Sequence, residues 1–95
     1  MTGVQTCALP ISRKLSFELG PSGITCNAIA PSRTLSERIH ARWEQMSEAE
    51  QAAEIARTPL RRIAQPEDQA RVICFLASTD ADFVTGVTID VSGGQ

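Results

Sequence analysis

The spacing of apolar and polar positions changes several times along the 95-residue chain, and each change marks an element. In SRKLSFEL (12–19), Leu15 and Leu19 sit one helical turn apart, and Gly20-Pro21 supplies a helix stop. These residues predict the end of a helix. ITCNAIA (24–30) is short and almost continuously apolar, which suits a strand covered on both faces in a parallel sheet. Pro31-Ser32 ends it. Thr34-Leu35-Ser36-Glu37 has capping-box spacing and predicts a helix to about Gln45. Ser47-Glu48-Ala49-Glu50 repeats that signature for a second helix running to about Arg57. Pro66, followed by Glu67 and Asp68, opens a third helix, with Ala70, Val72, Ile73, Leu76 and Ala77 forming one broad buried face. Residues 79–82 read as a turn, VTIDV (87–91) alternates as a strand, and Ser92-Gly93-Gly94 is a glycine turn.

Strand, helical crossover and strand in that order make a βαβ unit with parallel strands. A strand 24–30 without its second neighbour would present an apolar edge, a template for aggregation.

Composition narrows the function classes. The chain is long enough for one small domain, and 42% hydrophobic with 21% charged residues is ordinary for a soluble globular protein. A formal charge of −2 predicts no nucleic-acid partner, and Arg61-Arg62, the one adjacent arginine pair, reads as a solvated loop. No apolar run approaches the roughly 20 residues of a membrane span, and the N-terminus has no signal-peptide pattern. The expectation is a cytoplasmic protein with no membrane partner. Cys7, Cys26 and Cys74 stand at no metal-ligand spacing and read as buried thiols in a reducing compartment, with no metal site. His40, among Glu37, Arg38 and Arg42, reads as a solvated residue. Asn27 lies mid-strand, where its amide requires a hydrogen bond to neighbouring backbone.

Three blocks carry a resemblance: FELGPSGITCNAIAPS (17–32), PEDQARVICFLAS (66–78) and FVTGVTIDVSGG (83–94). They are similar to the patterns E-L-G-x-x-G-I-x-V-N-x-I-x-P-G, P-E-D-(I/V)-A-x-x-x-x-F-L-A-S and (Y/F)-(I/V)-T-G-x-x-(I/L)-x-V-D/S-G-G. From Leu15 onward the chain thus resembles the C-terminal part of a short-chain dehydrogenase/reductase, close to the 3-oxoacyl-acyl-carrier-protein-reductase-like branch. The resemblance implies an α/β fold: the C-terminal part of a doubly wound Rossmann-type parallel sheet, with a helix end, the sixth strand, lid helices, a further helix and the seventh strand. It also implies NAD or NADP as cofactor, a small-molecule carbonyl or alcohol substrate, and a homo-oligomeric parent, tetramer or dimer.

Family residues that contact the nicotinamide carboxamide fall, by the same resemblance, on Pro31, Ser32 and Ser36, with Thr34 at the position of a usual Ile whose backbone amide helps. A carboxamide needs one donor and one acceptor, which a hydroxyl beside a free backbone amide provides. Ser32 replaces the pattern's glycine, and helix capping is the other role open to Thr34 and Ser36. Residues 35–60 correspond to the variable substrate lid, in which Trp43 and Met46 either line a substrate pocket or pack the lid itself.

The family's chemistry uses a Tyr-x-x-x-Lys pair, in which tyrosine moves the proton and lysine lowers its pKa. This chain contains no tyrosine; aligned on Glu18-Leu19-Gly20, the pair falls near Met1 and Gln5, and the glycine-rich phosphate loop lies further upstream. The expectation is no catalytic residue here and no activity for the chain alone. The first eleven residues, MTGVQTCALPI, are unlike the family and match a translated sequencing-library adapter, with Pro10 expected to interrupt any helix there. They are therefore read as a non-native segment that leaves Cys7 without meaning, and residues 12–95 as part of one reductase domain. Two other readings are a small non-enzymatic interaction module built from the same fold segment, and an enzyme half completed by a separate N-terminal chain.

Overall fold

The computed structural model describes the backbone of residues 3–95 and the side chains from Ile11 onward; Met1, Thr2 and the Cys7 thiol lie outside the described residues. Helix α1 spans Gly3–Leu19 and runs through Pro10, contrary to the expected interruption. Proline lacks one N–H and so removes one bond of the ladder, while the turns on either side keep theirs. A 3-10 turn, Gly20–Ser22, closes the helix, with Gly23 at φ 76° donating its amide to the Gly20 carbonyl.

Strand β1 is Ala28–Pro31, shorter than the expected 24–30. The difference has a local cause. The Cys26 amide donates to Thr85 Oγ1 (2.9 Å), and the Cys26 carbonyl accepts from the Gly86 amide (2.8 Å). These bonds hold the chain before β1 in an irregular path instead of a ladder. Strand β2, Thr88–Val91, pairs parallel to β1 in the register Ala28↔Thr88 to Pro31↔Val91. The sheet has these two strands among the described residues, so β1 keeps one unpaired edge.

Three helices lie between the strands: α2 (Glu37–Glu44), α3 (Glu48–Ala56) and α4 (Pro66–Leu76). Ser47 is the N-cap of α3 as expected, with its Oγ accepting from the Glu50 amide at 3.2 Å, but the Glu50 carboxylate accepts from the Ser47 hydroxyl (3.1 Å) and not from its backbone amide. The first capping box does not form. Ser36, not Thr34, is the N-cap of α2, because Thr34 pairs with Ala64 in a parallel bridge and the Leu35 amide donates to the Ala64 carbonyl. Pro66 is the first residue of α4, with a capping box between Gln65 and Asp68.

The buried face of α4 also differs from expectation. Gln69, Val72 and Leu76 are half-buried at i, i+3, i+7 spacing, whereas Ala70, Ala77 and Ile73 (51% exposed) remain exposed. Ile73 and Leu76 border a groove of about 330 Å³ whose opposite wall is Thr25, Asn27 and Ile29. Cys74 is exposed rather than buried and Cys26 half-buried; the stripe that α4 turns inward leaves Cys74 on the far side.

Little of the chain is fully covered. Among the described residues Ser12, Thr58, Ile63, Ala81 and Gly86 are buried, and Phe83 and Phe17 stand in solvent. The radius of gyration is 16.0 Å, against about 12 Å for a compact domain of this length. Much of the apolar surface, including Phe17, Phe83 and Ile11, is therefore open.

Candidate functional site

The segment after β1 leaves the carboxyl end of a parallel strand, the position where open α/β sheets bind ligands. Hydrogen bonds fix its path. The Ser32 amide donates to the Val91 carbonyl (3.3 Å), which ties the segment to the end of β2. Thr34 Oγ1 donates back to the Ser32 carbonyl at 3.0 Å, and the Ser36 amide donates to the Thr34 carbonyl at 2.8 Å. The amides of Arg33 and Thr34 have no acceptor among the described residues. Ser36 is an N-cap whose hydroxyl makes no capping bond, so its oxygen remains available. A hydroxyl two residues after an unengaged amide supplies a donor and an acceptor, the pair a planar amide requires.

Of the residues singled out from sequence, Ser32 and Thr34 are half-buried within this network, while Pro31 and Ser36 are exposed beside it. Ser32 also borders a cavity of about 240 Å³ between the strand ends and residues 58–64. Gly93 closes it on the other side: at φ 63°, a Cβ there would come within 2.7 Å of Thr58 Cγ2. Trp43 and Met46 lie apart, half-buried around a notch of about 30 Å³ shared with Arg33, Ile39 and Arg42. His40 is exposed, with Nδ1 3.4 Å from Glu44 Oε1. No cluster of His, Cys, Asp or Glu among the described residues could hold a metal ion.

Two features at the site were not singled out from the sequence. Arg62, expected in a solvated loop, instead makes a fork with Asp68, Nη1 to Oδ2 at 2.6 Å and Nη2 to Oδ1 at 2.9 Å. Asp68 Oδ2 also accepts from the Gln65 amide at 2.8 Å. The Arg62 guanidinium, then the Gln65 amide, hold the Asp68 carboxyl well below the usual carboxylate range. Such a group stabilises the fold fully above the unfolded carboxylate value, near 3.9, and loses that contribution as pH falls toward the folded value. The urea midpoint of the wild-type chain should therefore exceed that of Asp68→Asn at neutral pH, with the gap closing below about pH 4. An equal gap at all pH values would remove the charge from the explanation. The second feature is Gln69, whose Nε2 donates to the Val91 carbonyl at 3.1 Å and to Thr34 Oγ1 at 3.4 Å.

Comparison with known proteins gives a consistent result. The profile of the family described as enoyl-(acyl carrier protein) reductase matches residues 3–95. An uncharacterized oxidoreductase of Methylorubrum extorquens is 42% identical over 93 residues, covering 98% of this chain and 37% of the relative. The 3-oxoacyl-[acyl-carrier-protein] reductase FabG of Rickettsia felis is 37% identical over 85 residues, covering 90% of this chain and 34% of that protein. A crystal structure of 3-oxoacyl-[acyl-carrier protein] reductase from Brucella melitensis superposes with a TM-score of 0.80 at 35% identity, over 94% of this chain and 32% of that one. The NADPH-dependent reductase YwfH, involved in bacilysin biosynthesis, also superposes with a TM-score of 0.80, at 27% identity. The chain spans about a third of the length of the relatives it matches. In sequence blocks, parallel strand pair and overall superposition, it belongs to the short-chain dehydrogenase/reductase family.

Proposed function

We propose that this chain is the nicotinamide-side part of an NAD(P)-dependent oxidoreductase that interconverts an alcohol and a carbonyl in a small-molecule substrate. The observation that carries this reading is the segment from Pro31 to Ser36: an unengaged hydroxyl on Ser36 beside the free amides of Arg33 and Thr34, at the carboxyl end of β1. The bound nicotinamide would supply or take up the hydride. The chain's own part is to orient the carboxamide, with the Ser36 hydroxyl and the Thr34 amide facing it and Pro31-Ser32 setting the turn. Trp43 on α2 and Met46 in the turn after it cover the substrate side. The parent is a cytoplasmic homo-oligomer, dimer or tetramer, and residues 1–11 are adapter-derived sequence preceding the domain segment 12–95.

Proton transfer to the substrate oxygen needs a group that this chain, having no tyrosine, does not carry in the family's form. The 95-residue chain is expected to show no turnover. The test starts by re-reading the source DNA across the first twelve codons, then expressing both the frame recovered and the 95-residue chain. The expected result is an upstream Tyr-x-x-x-Lys, carbonyl-dependent NAD(P)H oxidation by the longer product, and none by the shorter. Turnover by the short chain alone would overturn the inactivity. Finding MTGVQTCALPI in unligated genomic DNA would favour the small interaction module.

A further inference from the structure

The end of β2, the segment after β1 and helix α4 meet at one side chain. Gln69 is half-buried on the inward stripe of α4, and its Nε2 reaches two acceptors that belong to different parts of the fold. One is the carbonyl of Val91, the last residue of β2; the other is the hydroxyl of Thr34. The Val91 carbonyl thus accepts from both Ser32 N and Gln69 Nε2, and the Thr34 hydroxyl both donates to Ser32 O and accepts from Gln69. These bonds also decide the amide's orientation, because a carbonyl acceptor such as Val91 O can be met only by the NH2 side of the glutamine. Gln69 Oε1 is then left buried without a partner. That desolvated oxygen is a cost that an aliphatic side chain at the same place would avoid. A polar group on the inward face of a helix that leaves one buried acceptor unsatisfied calls for a purpose other than packing.

We propose that Gln69 is a positioning residue for the cofactor-side segment: by bridging Val91 and Thr34 it fixes where the Thr34 amide and the Ser36 hydroxyl stand. The functional part rests on the nicotinamide-side reading given above; the bridge itself does not. Without the Nε2 donor, Thr34 keeps its bond to Ser32 O but loses its tie to α4, and Val91 keeps only the Ser32 amide. The Thr34–Ala64 bridge, which donates Leu35 N to Ala64 O at 2.8 Å, remains as the other anchor. Loss of Gln69 should therefore loosen Ser32–Leu35 without unfolding β1 and β2.

The experiment uses the full chain with three substitutions: Gln69→Met, which keeps the volume and deletes the donor; Gln69→Glu, which keeps the shape but cannot donate when ionised; and Thr34→Val. Amide exchange is followed by NMR in parallel with titration of nicotinamide mononucleotide. Exchange at Ser32 and Leu35 should rise by about fivefold in both Gln69 variants, the equivalent of one net hydrogen bond, while Ile89 and Ala30 change little. Adding Gln69→Met to Thr34→Val should raise it by less than the product of the single effects, since the two share a bond. Nicotinamide mononucleotide should shift the Thr34 and Ser36 signals of the wild-type chain, and about fivefold more of it should be needed with Gln69→Met. Unchanged exchange at Ser32 and Leu35, or no protection there in the wild type, overturns the bridge. Raised exchange with no nucleotide-induced shifts in any chain leaves the bridge standing and overturns the cofactor-side reading. Raised exchange with equal nucleotide affinity in wild type and Gln69→Met overturns the positioning role.

Discussion

Replacing Gly86 with valine is expected to unfold most of the chain. Gly86 is buried where the loop before β2 passes under α1, and its φ is 75°, in the left-handed region. A Cβ at this position would lie 2.8 Å from Ser16 Oγ and 3.3 Å from Ser16 Cβ. The hydroxyl can rotate away, at the expense of its 2.6 Å bond to the Arg13 carbonyl, but Ser16 Cβ moves only with the helix. Forcing an L-residue into this conformation costs about 1–2 kcal/mol. Overpacking adds about 1–3 kcal/mol, and a β-branched residue falls at the upper end. Domains are commonly stable by only about 5–15 kcal/mol, and one with so few buried residues sits at the low end. Urea unfolding followed by far-ultraviolet circular dichroism should show Gly86→Val without a folded baseline and Gly86→Ala with a lowered midpoint. Adding Ser16→Gly to Gly86→Ala should recover the packing part and leave the conformational part. A Gly86→Val chain with the wild-type midpoint would show that α1 does not pack on this loop.

How much of this arrangement could be read from residues alone depends on the range of the interaction that decides it. Ser47–Glu50 and Pro66 act within one turn of helix, so the starts of α3 and α4 were legible. Strand β2 was legible from its alternation, and its parallel pairing with β1 from the order of elements. The start of α2 was misread because Thr34 offers the same local capping chemistry as Ser47, but its backbone is engaged by Ala64, thirty positions away. Length misled for β1, since an apolar run does not reveal that Cys26 is held by Thr85 and Gly86. On α4 the apolar pattern pointed to Ala70, Val72, Ile73, Leu76 and Ala77, of which Val72 and Leu76 are half-buried, and the half-buried row is completed by Gln69. Glutamine is not expected inside, so the bridge at Gln69 was invisible to a reading based on hydrophobicity. Thr34 and Gln69 both stand where the family patterns carry aliphatic residues, and that paired departure was the available signal. Arg62 and Asp68 form their fork around the start of a helix, at a separation that no local motif marks.

Asn27→Leu should be the second most damaging change, and its pattern can be told from a general loss of stability. Asn27 Nδ2 donates to the Val84 carbonyl at 3.0 Å, and Asn27 Oδ1 accepts from the Val87 amide at 3.2 Å. The mid-chain amide expected from sequence to bond neighbouring backbone thus spans the two sides of the Thr85-Gly86 turn. Leucine fills the same space and bonds neither group. Two net hydrogen bonds are worth about 1–3 kcal/mol, with a further penalty where the Val84 carbonyl stays desolvated. Asn27→Asp separates the halves, because an ionised carboxylate still accepts from Val87 but cannot donate to Val84. Amide exchange at Val87 should accelerate in Asn27→Leu and stay slow in Asn27→Asp, while both variants lower the urea midpoint. The consequence reaches the sheet through the adjacent bond, in which the Ala28 amide donates to the Val87 carbonyl at 2.9 Å. That bond is the first rung below the Ala28↔Thr88 pair, so a displaced Val87 loosens the near end of the parallel register, leaving Cys26 with Thr85 and Gly86 to hold it there. If Val87 exchanges at the same rate in the leucine and wild-type chains, the side chain of Asn27 is filling space and the register is set elsewhere.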